Sequence, residues 1–198
     1  NHCIIDSCLN YLADEGTRWA YHNAPYTLLE SVLTTATGTP INTYTQTELK
    51  RKTGMTGAWA YVDYDNVFFS KVRSMARFGL LMQNNCIWNN DTLLYDTSYV
   101  HQMTNTSQSL NLSYGYLWWL NGKSSYRLPQ TQLQINGSLI ASGANDMYMA
   151  LGKDDQKIYV VPSKKMVVIR MGDAADSANL ALSTFDEVLW QKINALYQ

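Results

Sequence analysis

A tyrosine and an asparagine stand two residues apart in the stretch Trp19-Ala20-Tyr21-His22-Asn23-Ala24-Pro25-Tyr26. On an extended turn such a pair can point into one cleft. One group is then a phenol for proton transfer, the other an amide that both donates and accepts. The stretch sits just ahead of a predicted helix start, where backbone N–H groups and the positive end of the helix dipole are available. The same residues also suit a packed aromatic at Tyr21 and a helix N-cap at Asn23. A free phenol titrates near ~10, so Tyr21 alone is a poor base at neutral pH, and a neighbouring ammonium would be needed to favour the phenolate. No metal centre is expected, because the three histidines (His2, His22, His101) and three cysteines (Cys3, Cys8, Cys86) lack zinc spacing.

The elements that must position these groups follow from periodicity. Ile4, Ile5, Cys8, Leu9 and Leu12 recur at helical spacing up to Gly16. Cys3 and Cys8 then fall five positions apart on one helix, poor geometry for a disulfide, and the cysteines are read as buried small hydrophobes. Pro25 suits the first turn of a second helix that runs through Leu28, Leu29, Val32 and Leu33 to Gly38. A third helix is predicted over Asn42 to Lys52, and a fourth over Ser70 to Met82 with Val72, Met75, Ala76, Gly79 and Leu80 on one side. The aromatic run Tyr114 to Leu120 reads as a strand, with Trp118 and Trp119 alternating across it. Met147 to Gly152, Lys157 to Val161 and Met166 to Met171 are further strands, and their short connections require antiparallel pairing. An apolar stripe of Leu182, Phe185, Val188, Leu189, Ile193 and Leu196 marks a closing helix over one sheet face. Residues 1–112 are thus mainly helical, and 113–198 supply the sheet and closing helix. Helices first and an antiparallel sheet later give an α+β class.

Composition excludes several functions. The 198 residues carry 15 Lys+Arg against 16 Asp+Glu, a net charge of −1, which leaves no cationic footprint for nucleic acid. With 46% hydrophobic and 16% charged residues the chain is a packing sequence, not a disordered one. Its apolar runs fall far short of the ~20 residues of a membrane-spanning helix. Arg170, late in its strand, suits a surface ion pair or a substrate carboxylate.

Tyr21-His22-Asn23 is followed in order by a helix ending in Gly, then "TGM" (Thr53 to Met55) and the helix "SMARFGLLM" (Ser74 to Met82). After these come "YGYLWWL" (Tyr114 to Leu120) and "MALGKDDQKIYVVPSKKMVVIRMG" (Met149 to Gly172). This set resembles the serine β-lactamase and penicillin-recognising superfamily, in the class C and esterase-like branch with 6-aminohexanoate-dimer hydrolases and carboxylesterase-type enzymes. The resemblance implies a β-lactamase/transpeptidase-like α+β fold with an antiparallel sheet and flanking helices. It also implies acyl transfer through a seryl ester followed by hydrolysis, on a small amide or ester substrate, without a cofactor. By the same resemblance Tyr21 is the proton relay and Asn23 offers its amide to the cleft. Ala150-Leu151-Gly152 stands where relatives have Lys-Thr-Gly or His-x-Gly. On that alignment Gly152 would let the backbone approach a substrate and the Lys153 N–H would be the oxyanion donor, while the same residues also suit a glycine that ends a strand before a hairpin. Tyr21 and Gly152 should then face one another across one cleft, within about 10 Å, with His22 turned away.

Two features depart from the family pattern. The third motif has lost its basic residue, so a β-lactam carboxylate would find no cation there. No serine has lysine three positions on, so the Ser-x-x-K nucleophile is absent from this chain. The expectation is the carboxy-terminal portion of a longer hydrolase, inactive alone, with its amino-terminal portion as a partner and self-association as the alternative. A bacterial periplasmic or extracytoplasmic setting is implied by the resemblance. A reading from another class is a non-catalytic peptide- or amide-binding or sensor domain on the same scaffold.

Overall fold

The computed structural model describes residues 4–175 and 182–197. Its centre is a four-stranded antiparallel sheet in the order β10-β9-β8-β5. The strands are β5 (Trp119–Leu120), β8 (Tyr148–Leu151), β9 (Lys157–Val161) and β10 (Met166–Arg170). The last three form the meander that their short connections require, with Ala150 opposite Ile158 and Val168 opposite Tyr159.

Side-chain alternation splits this sheet into two apolar layers. Trp118, Leu120, Tyr148, Ile158 and Val160 pack with Leu81 and Met82 of α4 (Val72–Gln83). Trp119, Met149, Leu151, Tyr159 and Val161 pack with Trp190 of α6 (Thr184–Ala195). Each tryptophan of the Trp118-Trp119 pair therefore enters a different core, and both are buried. Trp118 stacks on Phe78 (6.2 Å, 10°), whereas Trp119 meets Tyr114 edge-on (4.9 Å, 81°).

The remaining elements flank this frame. α1 (Ala24–Thr37) starts with Pro25 in its first turn and ends at Gly38, whose φ of 64° lets its N–H reach the Thr34 carbonyl. α2 (Ile41–Thr45), a π-helical turn (Gln46–Lys50) and α3 (Arg51–Thr53) together fill the predicted third helix and stop at Gly54. A hairpin of β1 (Gly57–Val62) and β2 (Asp65–Ser70) follows. After α4 come the short hairpins β3 (Ile87–Trp88) with β4 (Asp91–Thr92) and, past α5 (Thr97–Met103), β6 (Ser125–Tyr126) with β7 (Ile135–Asn136).

Several expectations change. The first predicted helix is reduced to a 3₁₀ turn, Asp6–Cys8, and Ile5, Leu9 and Leu12 stay exposed. A short amphipathic helix depends on a surface that covers its stripe, and none of the described residues buries this one. Cys8 is disulfide-bonded and so is not the small buried hydrophobe expected of it, and Cys3 lies outside the described residues. Cys86 is the buried thiol. The run from Tyr114 is a tight turn before it is a strand. Gly115 N–H reaches the Trp118 carbonyl at 2.8 Å, Leu117 takes φ 63°, and only Trp119–Leu120 extends. On α4 the buried set is Ser74, Gly79, Leu81 and Met82, while Val72 and Leu80 are exposed. The apolar stripe of the closing helix is rotated too: Trp190 is its buried anchor, and Val188 and Leu196 face outward. Part of the predicted closing segment, residues 176–181, lies outside the described residues.

Gly79 sets the closeness of α4 to the sheet. A Cβ there would lie 2.4 Å from Val167 Cγ1 and 3.4 Å from Ile158 Cγ2. Gly79→Ala should therefore overpack the layer and cost about 1–3 kcal/mol, despite the better helix propensity of alanine. Thermal unfolding of Gly79→Ala, Val167→Ala and the double variant checks this. The double variant should recover part of the loss, and strictly additive effects would reject the contact.

Candidate functional site

Tyr21 lies in the layer covered by α6. Its ring stacks on Trp119 (5.9 Å, 25°) and meets Trp19 and Tyr114 at 6.3 and 6.1 Å. Burial first, and the Asp65 carboxylate second, push the Tyr21 hydroxyl above the ordinary phenol range. The same two causes raise Tyr26. Both effects disfavour the charged phenolate, so Tyr21 in this chain is a proton-bearing phenol, not a base.

Asn23 is at the N-cap position of α1 but makes no side-chain cap bond there. Its Nδ2 donates instead to Asp65 Oδ2 at 2.9 Å, tying the loop before α1 to the start of β2. Asp65 is 42 residues away, and sequence reasoning missed it because the hairpin that delivers it was not recognised. His22 is exposed.

Ala150 and Gly152 lie along β8 and just beyond it. The Ala150 side chain packs toward α4, on the face opposite Tyr21 and Trp119. Trp119 pairs with Met149, which is three residues from Gly152, or about 10 Å along a strand. Gly152 and Lys153 are exposed where the chain leaves the sheet. Gly152 N–H bonds the Gln156 carbonyl at 2.8 Å, closing a turn through Lys153–Asp155. Arg170 Nη1 reaches the carbonyls of Asp154 and Asp155 (3.1 and 3.2 Å), and its guanidinium lies over the Phe185 ring. It thus buttresses the turn and makes no ion pair among the described residues. Among the described residues the Lys153 N–H has no acceptor, while the N–H groups of Gly152 and Gln156 on either side are engaged.

Behind the turn is a buried ionic cluster where sequence reasoning saw only a short connection between strands. Lys157, with a fully buried side chain, pairs with Asp155 Oδ1 at 2.7 Å and with Asp186. Tyr159 donates to Asp186 Oδ1 at 2.5 Å, and Ser183 Oγ donates to Asp155 Oδ1 at 2.9 Å. Asp186 Oδ2 accepts the Ser183 N–H at 2.9 Å as part of a capping box at the start of α6. Ser183-Thr-Phe-Asp186 in front of an apolar run was the signal that would have located it.

Burial opposes ionisation of Asp155, but the Lys157 ammonium, the Ala175 N–H and the Ser183 hydroxyl outweigh it and lower its pKa to about 2. The usual value is 3.8. A carboxyl depressed in this way stabilises the fold fully above about pH 4 and loses that contribution as the pH falls toward 2, up to about 2 kcal/mol. Acid unfolding should show this: between pH 5 and 2, stability of Asp155→Asn should fall less steeply than that of the unaltered chain, and parallel slopes would contradict it.

A cleft of about 220 Å³ opens beside Asn121, Lys123, Asn145 and Asp146, at the Tyr148 end of β8 and away from Gly152. No group of His, Cys, Asp and Glu among the described residues could hold a metal. No described helix is long and apolar enough to cross a membrane.

Comparison with known proteins places this arrangement. No curated protein matches the sequence. Among solved structures, a candidate 6-aminohexanoate-dimer hydrolase of Bacillus anthracis superposes with TM-score 0.67 at 18% identity, covering 94% of this chain and 45% of the other. A candidate β-lactamase of Bacteroides dorei DSM 17855 gives 0.67 at 14%, covering 94% and 60%. A penicillin-binding protein of Bacillus halodurans gives 0.55 at 17%, covering 93% and 57%. The chain thus spans about half the length of the solved structures it matches, and at these identities the likeness is one of fold. The Beta-lactamase family profile matches residues 10–182, and the chain therefore belongs to the β-lactamase family, whose members are typically serine hydrolases.

Proposed function

We propose that this chain is the carboxy-terminal portion of a β-lactamase-related serine hydrolase that opens amide or ester bonds through a seryl acyl-enzyme. The nucleophile and its lysine come from an amino-terminal portion of the same protein. Tyr21 relays the proton between the seryl oxygen and the leaving group, and Asn23 orients the substrate amide. The strand end at Ala150 to Gly152 offers its backbone to the acyl group, and the Lys153 N–H binds the oxyanion. The observation that carries this reading is a Lys153 N–H with no acceptor among the described residues, beside a side-chain-free Gly152. Transition-state charge is best met by a donor that is fixed in advance and not consumed by the fold.

Exposed apolar side chains support the amino-terminal partner. Leu29 and Val32 on α1, and Tyr61, Val67 and Phe69 on the β1–β2 hairpin, are all exposed. Patches of this kind mark surfaces that meet another polypeptide. Among the described residues β10 also ends the sheet with no strand on its far side. An open edge of this kind is a template for a further strand. The alternative occupant is a second copy of the chain.

The isolated chain should show no turnover of nitrocefin or p-nitrophenyl esters above background. Size-exclusion chromatography with mass spectrometry should find it self-associated or carrying a second peptide. Robust turnover by the pure chain, or a well-behaved monomer free of any peptide, counts against the reading. One observation favours a binding domain instead: burial and then the Asp65 carboxylate both oppose the phenolate that a base would need at Tyr21. A Ser-x-x-K preceding this region in the protein's own gene decides for the hydrolase, and its absence for the binder.

A further inference from the structure

Two consecutive non-glycine residues of the Gly152–Gln156 turn adopt left-handed backbone angles: Asp154 at φ 55°, ψ 36° and Asp155 at φ 58°. Such conformations are unfavourable for residues with a Cβ and persist only where surrounding structure over-determines them. Here the one buried side chain of the turn contributes most of that support. The Asp155 carboxylate turns inward and is 6% exposed. Its Oδ1 takes the Lys157 ammonium at 2.7 Å and the Ser183 hydroxyl at 2.9 Å, and its Oδ2 takes the Ala175 N–H at 2.7 Å. Lys157 stands opposite Leu151 in the β8–β9 ladder, directly behind the exit of the strand toward Gly152. The same ammonium engages Asp186, which also closes the capping box of α6.

The turn and the start of α6 are therefore joined through one buried cation. We infer that Asp155 and Lys157 are positioning residues: their ion pair, anchored on Asp186 and Ser183, holds the strained turn that presents Gly152 and the Lys153 N–H. This rests on the oxyanion role proposed for that N–H, but the clamp itself is a property of the fold. Gln156 shares the task. Its side chain accepts the Gly172 N–H at 3.1 Å and donates to the Asp154 carbonyl at 2.8 Å, so the turn is held from both sides. A flexible turn would present its N–H over a range of directions. A clamped one keeps the direction fixed before substrate arrives, which is what electrostatic stabilisation of an oxyanion requires.

Residue-resolved amide hydrogen exchange on the 198-residue chain tests the clamp without any turnover. In Asp155→Asn the amides of Gly152 and Gln156 should exchange roughly tenfold faster, while those of Val160 and Ile169 in the sheet stay unchanged. The Lys153 amide resonance should move. Asp155→Gly separates clamp from strain: glycine tolerates the left-handed angle but carries no carboxylate, so it should loosen the same two amides as much as asparagine does. Unchanged exchange in Asp155→Gly would overturn the proposal, because the turn would then be held without the carboxylate, by Arg170 and Gln156. Should either variant unfold, Ser183→Ala, which removes one donor and leaves the ion pair, should give a smaller acceleration at the same amides. No acceleration there would count equally against the clamp. In the protein carrying its nucleophile, Asp155→Asn should lower kcat with KM unchanged. Faster exchange with unchanged kcat would keep the clamp and reject the oxyanion role of Lys153.

Discussion

Lys157→Ala is expected to remove about 3–5 kcal/mol of stability, the largest loss from any single side-chain truncation in the ionic cluster. The ammonium is the one cation paired with Asp155 and Asp186 among the described residues, and its side chain has no exposure. Truncating it leaves two buried carboxylates, Asp155 and Asp186, with only hydroxyl and amide donors to satisfy them. The penalty is that of uncompensated buried charge and not the net worth of the ion pair. Against a typical domain stability of about 5–15 kcal/mol, such a loss brings the chain close to unfolding. Urea denaturation at pH 7 measures it as a fall in midpoint at constant m. A control separates charge from volume: Lys157→Met with Asp155→Asn and Asp186→Asn removes all three charges and keeps side-chain oxygens to accept the Ala175 and Ser183 N–H groups and the Tyr159 hydroxyl. It should recover much of the loss, since no uncompensated charge stays buried. A cost below about 1 kcal/mol for Lys157→Ala would show that water or rearrangement satisfies the carboxylates, and that the cluster is not a point of strain.

The ionic cluster also shows where sequence reading stops. Residues 147–171 were legible as a meander because three β-rich runs are joined by connections too short for anything but hairpins. α1 was legible because Pro25 and Gly38 mark its two ends. The β1–β2 hairpin was not recognised, although Trp59, Tyr61, Val67 and Phe69 have strand character; its turn at Asp63, with φ 53°, lacks a glycine to announce it. Helical spacing in the first dozen residues misled for a physical reason: a periodic stripe forms a helix when something covers it, and a pattern does not say whether anything does. The same limit applies to Lys153-Asp154-Asp155 and Lys157. Charged residues at a hairpin end look solvated in sequence. Only the closing helix, nearly thirty residues on, supplies Ser183 and Asp186 and turns two of those charges inward. Tyr21 and Asn23 were singled out by residue type and spacing, and their roles came only from family resemblance. The electrostatics of Tyr21 depend on Asp65, which no local pattern connects to it.

The hydroxyl of Tyr21 is where the proposed chemistry is most exposed to test. In the protein carrying its nucleophile, Tyr21→Phe should reduce kcat by about 10²–10⁴, the usual worth of a positioned proton-transfer group, and leave KM nearly unchanged. Stability should hardly alter, because the ring that stacks on Trp119 is retained and no described hydrogen bond of the Tyr21 hydroxyl is lost. A companion variant reads the mechanism behind that loss. Asp65 raises the Tyr21 pKa by its negative charge, so Asp65→Asn should lower it, while the new amide can still accept a bond from Asn23. If the phenolate takes the proton from serine, the limb of the pH–rate profile on which activity rises should move to lower pH in Asp65→Asn. If Tyr21 acts only as a hydrogen-bonding phenol, the limb that falls at high pH should move down instead. A profile unaffected by Asp65→Asn, together with a Tyr21→Phe variant as active as the parent, would remove the phenol from the reaction. It would leave Tyr21 as what its surroundings already make it, one ring in the aromatic layer formed with Trp19, Tyr114 and Trp119.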